Sequence, residues 1–237
     1  MKLFTSEFVS SGHPDRFCDI ISNTILDECL KQDKNSRIAV EALAKDDKVV
    51  LGGEITTKAT IFPEQIVEKI AADLGYDFVP KVINLLGKQS PDIALGTNDI
   101  ANGAGDQGIM FGYATTDGPH YMPLAWSLAR DIIKEFETLR KINLEYNWVK
   151  PDMKSQVTID YTEAIPKVHT VVISIQTMPN TDLKLVKEKY VVPTIKSILA
   201  NETYSEFINA ASLRHPLKRG WAGALIHNSH FTIHEIK

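Results

Sequence analysis

The sequence predicts an α+β fold built from repeated β-α-β-β-α-β units whose sheets pack against helices. Apolar residues alternate with polar ones over several short stretches, as in half-buried strands, and recur every three or four residues over longer ones, as in amphipathic helices. The two kinds of stretch follow the same order twice, although the copies share only this order and no clear sequence identity. With 237 residues, the chain suits two units of modest size.

Residues 1–100 are expected to form the first unit. After a strand at residues 3–9, a helix is predicted from the spacing of its apolar residues, which are Phe17, Ile20, Ile21, Ile25, Leu26, Cys29 and Leu30. Strands at residues 37–45 and 48–57 follow, joined through Asp46-Asp47 as a hairpin. A second helix begins at Pro63 and stops at Gly75, and residues 81–86 complete the unit as a strand.

Residues 101–209 are expected to form the second unit. Its elements are a strand around residues 109–114, a helix from Pro123 to Leu139, strands at residues 154–161 and 168–176, and a helix from Asp182 to Leu199. Pro193 should kink or interrupt that last helix, because proline has no N–H to donate. Residues 87–108 lose periodicity and are rich in glycine and short polar residues, which predicts a functional loop.

The composition is that of an ordinary globular protein, with 43% hydrophobic and 24% charged residues and a formal net charge of -4. This balance carries no nucleic-acid footprint. We find no apolar leader and no run near the roughly 18 residues of a membrane span, so we expect a cytoplasmic protein without a membrane partner. Cys18 and Cys29 lie eleven residues apart on one predicted helix, too far to bridge each other, and are expected to be reduced.

The segment Gly12-His13-Pro14-Asp15-Arg16, at the head of the first helix, is the strongest candidate for chemistry. Free N–H groups at a helix start, together with the helix dipole, form an anion site, and a proline there removes only a donor that lacks a helical partner. His13 and Arg16 add donors, and Asp15 can hold the divalent metal that accompanies a polyphosphate. The alternative is a capped helix with a polar first turn.

Other polar segments add candidate ligands. Glu41 lies mid-strand, and Glu54 follows paired glycines that let another backbone or a ligand come close. Residues 87–93 and 103–108 combine flexible glycines with amide and carboxylate groups suited to an ammonium or a sulfonium. In residues 151–156, an aspartate suits a ribose or an amine and a lysine suits a phosphate. Each of these has a plainer interpretation as a solvated strand face or surface loop.

Together these segments resemble S-adenosylmethionine synthetase (methionine adenosyltransferase), because five motifs occur in the order of that family. The motifs are Gly-His-Pro-Asp at 12–15, Gly-Gly-Glu-Ile-Thr-Thr at 52–57, Gly-Lys-Gln-Ser-Pro-Asp-Ile at 87–93, Gly-Ala-Gly-Asp-Gln-Gly at 103–108 with Met-Phe-Gly-Tyr-Ala at 110–114, and Pro-Asp-Met-Lys-Ser-Gln-Val-Thr at 151–158. The likeness spans about residues 3–209. Members contain three related β-α-β-β-α-β units and dimerise with active sites between subunits.

The resemblance implies transfer of the adenosyl group of ATP to the sulfur of L-methionine. Tripolyphosphate leaves and is hydrolysed to diphosphate and phosphate, and no covalent enzyme intermediate is needed. Positioning and stabilisation of the departing polyanion would supply most of the rate enhancement. The implied cofactors are Mg²⁺ and K⁺, and the implied assembly is a homodimer.

The resemblance also implies a role for each site residue. The catalytic residues would be His13, Lys154 and Asp106. The ATP ligands would be His13, Arg16, Asp152, Met153 and Lys154. The methionine ligands would be Glu54, Gln89 and Asp106, the last of these near the developing sulfonium. Asp15 would bind magnesium and Glu41 potassium. The gating loop would comprise Gln89, Ser90, Pro91, Asp92, Ile93, Ala94, Leu95, Gly96, Thr97 and Asn98.

Two departures from the family pattern bear on these expectations. Arg16 replaces the usual lysine, which keeps the charge but changes a point donor into a fork, and we expect it to be tolerated. Typical members also continue into a third unit with basic phosphate ligands, and here residues 210–237 form a divergent tail. This tail has three interpretations. Lys218 and Arg219 could replace the lost phosphate ligands, or the tail could be only a closing strand and helix, or it could be out-of-register sequence after a truncation. Residues 220–227 could pair as a strand.

The leading hypothesis is therefore a shortened, homo-oligomeric synthetase with two units in place of three. One alternative is a catalytically weak homologue that binds methionine or S-adenosylmethionine, or that regulates a full-length synthetase. Another is a protein that retains only triphosphate hydrolysis, because His13 and Asp15 lie in the best-preserved anion motif.

Overall fold

The structure, a computed structural model, describes residues 2–90, 108–205 and 207–208, and the backbone at 218–219, 224–227 and 230–236. The chain divides into two compact units. One comprises Pro14–Tyr113, and the other combines Met1–His13 with Ala114–Lys237. The boundary after His13 falls within the Gly-His-Pro-Asp motif.

The first six elements follow the predicted order β-α-β-β-α-β. They are β1 (Leu3–Val9), α1 (Pro14–Gln32), β2 (Arg37–Lys45), β3 (Lys48–Thr56), α2 (Pro63–Leu74) and β4 (Lys81–Gly87). Helix α1 begins at a proline, α2 begins at a proline and ends before Gly75, and β2 and β3 meet at the two-residue turn that the sequence predicts. Both cysteines are free.

The later elements agree with the sequence in part. They are α3 (Leu124–Ile142), β5 (Val149–Asp160), β6 (Lys167–Thr177), the helical segment α4 (residues 183–199), α5 (Glu202–Ser205), β7 (Lys218–Arg219), β8 (Ala224–His227) and β9 (His230–Ile236). Short 3₁₀ turns lie at Pro119–Tyr121 and Leu144–Tyr146. A strand within residues 220–227 is thus confirmed, as β8.

The strand predicted around residues 109–114 is wrong. These residues form neither helix nor strand, and Met110 and Phe111 are 93% and 88% exposed. A short apolar run indicates a strand when it is buried against a neighbouring strand, and this run has no such partner among the described residues. The sequence pattern does not distinguish a buried apolar run from an exposed one.

In the unit Pro14–Tyr113, α1 and α2 cover one face of the three-stranded sheet β2-β3-β4. Strand β3 is antiparallel to β2 and parallel to β4. The buried core residues are Phe17, Ile21, Ile25, Val40, Val49, Leu51, Val67, Ile70, Ala71 and Leu74. On the uncovered face Leu43, Ile83 and Leu85 are 66%, 45% and 66% exposed, so this sheet has one apolar face without cover in the described chain.

In the other unit, a six-stranded sheet has the order β1-β5-β6-β9-β8-β7. Strand β1 pairs antiparallel with β5, from Leu3 opposite Asp160 to Val9 opposite Lys154. The predicted divisions at residues 100 and 209 stay a prediction, but this pairing places β1 in a sheet with strands from the later part of the chain. Helix α3 packs on β1 and β5, and its residues from Leu124 to Phe136 supply much of the core.

The predicted interruption at Pro193 is confirmed. Residues Val186–Val191 form a π-helical turn, and α-helix resumes over Val192–Leu199 with the proline in its first turn. A residue in place of Pro193 would donate its N–H to the carbonyl of Lys189, four residues earlier. That carbonyl accepts a hydrogen bond from the hydroxyl of Tyr146 at 3.2 Å, which supplies the donor that proline lacks. None of the described helices is long and apolar enough to span a membrane.

Candidate functional site

The loop that leads into His13 is fixed to strand β5 through Ser10. The Ser10 backbone N–H donates to the carbonyl of Met153 at 2.9 Å, and its hydroxyl donates to the carbonyl of Pro151 at 2.8 Å. The N–H of Met153 donates back to the Ser10 hydroxyl at 2.8 Å. Because Ser10 is fully buried, these bonds are shielded from water. They hold the loop beside the part of β5 that carries Asp152 and Lys154.

Gly12 is required by the packing of this loop on β5. A Cβ atom added at Gly12 would lie 2.5 Å from the Cβ of Pro151 and 2.6 Å from its carbonyl carbon and oxygen. Ordinary carbon contacts are about 3.5–4.0 Å, so any side chain here would push the loop away from the strand. The glycine of the Gly-His-Pro-Asp motif therefore has a structural cause in the close approach of two backbones.

Strand β5 is irregular where it carries the predicted ATP ligands. Its register with β6 shifts between Val149 and Met153, and Pro151, Asp152 and Met153 are buried in succession where a regular strand would alternate. Asp152 is 9% exposed and Met153 is fully buried. An aspartate is seldom this deep without a specific role, and the irregularity is what turns it inward.

Lys154 lies across the strand pair from an acidic residue that the sequence did not single out. Its ammonium is 2.6 Å from the carboxylate of Glu7 on β1, and Gln156 donates to the same carboxylate at 2.7 Å. The bond from Lys154 lowers the pKa of Glu7, so this carboxyl is charged at neutral pH. No local signal marks Glu7, because only the pairing of β1 with β5 brings it to Lys154.

The backbone N–H groups of Ser11 and His13, just before helix α1, are bonded within the unit that contains His13. The N–H of His13 donates to the carbonyl of Ser10 at 3.1 Å, and the N–H of Ser11 donates to Glu137 at 2.6 Å. Both donors precede helix α1, so they are not the first-turn N–H groups of the predicted anion site, and that site stays a prediction. His13 is half-buried.

In the other unit, the first turn of α1 carries two of the predicted charges on its surface. Asp15 is exposed, at the helix end where an acidic residue is favoured by the dipole. The guanidinium of Arg16 lies 3.7 Å from the carboxylate of Asp19, and both side chains are more than half exposed. An ion pair this exposed contributes little, so Arg16 can exchange Asp19 for a stronger anion.

The predicted methionine ligands Glu54 and Gln89 lie at one end of the three-stranded sheet. Glu54 pairs with Ala39 on one side and with Gly87 on the other, and Gln89 follows Gly87 by two residues. The amide oxygen of Gln89 accepts a hydrogen bond from Arg37 at 3.3 Å. Arg37, at the start of β2, is a further neighbour that the sequence did not single out.

The two glycines before Glu54 differ in whether the structure requires a glycine. Gly53 has a φ of +118°, and a Cβ there would collide with the carbonyl oxygen of Ala39 on β2. An added Cβ at Gly52 meets nothing within 4 Å, so that position is open. Glu41 is exposed and lies opposite Gly52, which puts the predicted potassium ligand on the uncovered face of the sheet.

The remaining predictions concern residues outside the described ranges and the metal sites. Asp106 and the gating-loop residues 91–98 lie outside; Gln89 and Ser90 are the part of that loop that is described. Within the described ranges, no three His, Cys, Asp or Glu side chains converge on a metal position. Magnesium needs no such cluster, because it is commonly held by one or two carboxylates, with phosphate oxygens and water completing the octahedron, and Asp15 fits that pattern.

Comparison with known proteins identifies the family. Residues 1–91 match the N-terminal domain of S-adenosylmethionine synthetase, and residues 101–213 match its central domain. The chain belongs to the S-adenosylmethionine synthetase family. The S-adenosylmethionine synthase of Mycoplasma capricolum subsp. capricolum is 43% identical over 213 residues, which are 85% of this chain and 54% of that protein. The S-adenosylmethionine synthase of Mycoplasma mycoides subsp. mycoides SC is 44% identical over 213 residues, again 85% of this chain and 54% of that protein.

A solved structure described as an unusual S-adenosylmethionine synthetase from Campylobacter jejuni superposes with a TM-score of 0.73 at 34% sequence identity. The match covers 88% of this chain and 56% of that one. The fold class expected from the sequence is thus confirmed as that of an S-adenosylmethionine synthetase. The chain spans about half the length of the curated relatives it matches, namely their N-terminal and central domains.

Proposed function

We propose that this chain transfers the adenosyl group of ATP to the sulfur of L-methionine and then hydrolyses the tripolyphosphate that leaves. The observation that carries the proposal is the attachment of the His13 loop to β5 through Ser10. It sets a histidine donor beside the strand that bears Asp152 and the lysine Lys154. Such a combination suits a polyanion that gains charge as it departs.

In this proposal the phosphate end of ATP is bound by His13 and Lys154. The sulfur displaces the leaving group in one step, so these residues need only orient the phosphates and stabilise the charge that develops on them. An ammonium has three donors, and the bond to Glu7 directs one of them while leaving capacity for phosphate oxygens. Arg16 adds a second cation, and Asp152 lines the nucleotide. Met153, predicted as an ATP ligand, is fully buried in the core with its N–H and carbonyl both bonded to Ser10, so it would hold the loop and not the nucleotide.

Metal ions belong to the chemistry of this family, and we propose Asp15 as the magnesium ligand and Glu41 as the potassium ligand. Magnesium would neutralise charge on the polyphosphate. Asp15 presents an exposed carboxylate two residues after His13, so one short segment would bind both the phosphates and their counter-ion.

Glu54 and Gln89 are proposed to hold the methionine, with Asp106 near the sulfonium that forms. A carboxylate suits the substrate ammonium, and an amide suits either end of an amino acid. The bond from Arg37 fixes the amide oxygen of Gln89. Residues 89–98 would then close over the bound substrates.

The test is product formation by the purified chain with ATP, methionine, magnesium and potassium, measuring S-adenosylmethionine and phosphate separately in the same sample. Both products should appear, and Lys154→Met should reduce S-adenosylmethionine formation by about 10²-fold or more, because it removes a cation from the developing charge. Lys167→Met is a matched control. Lys167 is 38% exposed and paired with Glu163, whereas Lys154 is 39% exposed and paired with Glu7.

Phosphate without S-adenosylmethionine would mean that the chain only hydrolyses polyphosphate. Neither product would contradict synthesis and favour a binding or regulatory role. Equal losses in Lys154→Met and in the Lys167→Met control would show that charge removal anywhere on the sheet is harmful, and would argue against a specific role for Lys154.

We also propose that a second copy of this chain covers the open face of the sheet β2-β3-β4. Leu43, Ile83 and Leu85 lie in adjacent register positions on that face, and all are exposed. An apolar face flanked by charged residues commonly marks an interface, and a twofold dimer would cover it in both copies at once.

Sedimentation at micromolar protein tests the dimer. The wild-type chain should sediment as a dimer, and Leu85→Lys should shift it to monomer by placing a charge in the apolar patch. Leu144→Lys, at a position 87% exposed in the other unit, is the control and should leave the dimer intact. A monomeric wild type, or a dimer insensitive to Leu85→Lys, would exclude this face as the interface.

A further inference from the structure

Helix α3 provides a second attachment for the His13 loop, in addition to strand β5. The Oε1 atom of Glu137 accepts a hydrogen bond from the backbone N–H of Ser11 at 2.6 Å. The Glu137 side chain is 13% exposed, and Lys134, one turn earlier on the helix, lies 4.0 Å from its other oxygen. A short bond from a backbone N–H to a charged, mostly buried acceptor is among the stronger hydrogen bonds in proteins.

Three successive residues of the loop are anchored, two of them on β5 and one on α3. Ser10 is bonded to β5, Ser11 to α3, and Gly12 packs against Pro151. The Ser10 N–H and hydroxyl bonds hold the start of the loop, and the next peptide unit consists of the Ser10 carbonyl and the Ser11 N–H. Its carbonyl accepts from the N–H of His13 at 3.1 Å, so rotation of this unit would move His13. The bond from the Ser11 N–H to Glu137 opposes that rotation.

We propose that Glu137 is a positioning residue that acts through the Ser11 peptide to aim His13 at the phosphates of a bound polyphosphate. Glu137 does not touch the substrate. Its carboxylate occupies the Ser11 donor, so that N–H cannot draw a phosphate to the wrong side of the loop. The negative charge behind the loop repels a polyanion from that side as well. The ligand in this inference rests on the proposed function, whereas the anchor itself does not.

Three variants separate positioning from folding and from general charge effects. Glu137→Gln keeps an oxygen acceptor but loses the charge, and Glu137→Leu removes the acceptor. Glu135→Gln removes the same charge from an exposed position on the same helix and is the control. All three are compared with wild type in hydrogen exchange at the Ser11 amide, affinity for magnesium tripolyphosphate by calorimetry, and the kinetics of S-adenosylmethionine formation.

Glu137→Leu should raise Ser11 amide exchange by about ten- to a hundredfold, the range for losing a hydrogen bond to a charged group. Tripolyphosphate affinity and kcat should each fall about tenfold or more, while the KM for methionine should stay within about twofold. Glu137→Gln should be intermediate in all of these readouts, and Glu135→Gln should match wild type. A lower kcat with an unchanged KM for methionine, in a variant that still folds, would separate positioning of His13 from a general loss of structure.

The outcomes distinguish this inference from the proposed function. If wild type makes S-adenosylmethionine and both Glu137 variants behave like Glu135→Gln, the function stands and the inference fails. If wild type makes none but binds tripolyphosphate, and Glu137→Leu weakens that binding, the inference stands and the function fails. Faster Ser11 exchange without weaker tripolyphosphate binding would overturn the inference, and so would a wild type that does not bind tripolyphosphate.

Discussion

Replacing Gly12 with alanine should loosen the loop that carries His13. The new Cβ would lie 2.5–2.6 Å from three atoms of Pro151, about 1 Å inside ordinary contact distance. Two of those atoms are backbone atoms of a buried strand and cannot rotate away as a side-chain tip would. The loop must therefore move by about 1 Å, and the hydrogen bonds of Ser10 must stretch or break. Overpacking of this kind costs about 1–3 kcal/mol of unfolding free energy.

The same displacement should also impair catalysis. A displacement of about 1 Å in a catalytic group lowers turnover by about 10²-fold. Urea unfolding measures the loss of stability, and the rate of S-adenosylmethionine formation measures the loss of turnover. Gly52→Ala is the control for stability, because its Cβ meets nothing within 4 Å and its unfolding free energy should not fall. A Gly12→Ala protein with wild-type stability and wild-type turnover would refute the packing explanation for this glycine.

Two further predictions concern single contacts. Tyr146→Phe should lower the unfolding free energy by about 1 kcal/mol or less. The carbonyl of Lys189 would lose its hydrogen-bond donor, and Pro193 has no N–H to replace it. An unchanged urea midpoint would contradict this prediction. Glu7→Gln should lower the unfolding free energy by less than about 1 kcal/mol at pH 7, because solvent screens the pair with Lys154. Since the pKa of Glu7 is lowered in the folded protein, the difference from wild type should persist down to about pH 5 and disappear as the pH falls further. A difference that grows in acid would contradict this prediction.

The parts of the fold that depend on local chemistry were predictable from the sequence. Pro14 and Pro63 begin helices, and Pro193 follows an interruption, because the missing N–H acts within one turn of the chain. The hairpin at Asp46-Asp47 is also local. The run at 109–114 was predicted wrongly because its strand character depends on a neighbour that the pattern cannot report.

The parts of the site that depend on long-range pairing were not predictable. Glu7 reaches Lys154 only because β1 joins the sheet of β5, about 150 residues later in the chain. Glu137 reaches Ser11 across a separation of 126 residues. The motif residues could be found because they are contiguous in sequence. Their supporting residues are single side chains on distant elements and carry no pattern of their own.

The boundary between the two compact units falls between His13 and Pro14, inside the Gly-His-Pro-Asp motif. Gly12 and His13 are fixed to the unit that contains β5, whereas Pro14 and Asp15 begin α1 of the other unit. Only Pro14 therefore separates the proposed phosphate ligand His13 from the proposed metal ligand Asp15. Substitutions at Gly12 should consequently impair phosphate binding while the core around α1 stays folded, because none of the anchors of the loop belongs to that core.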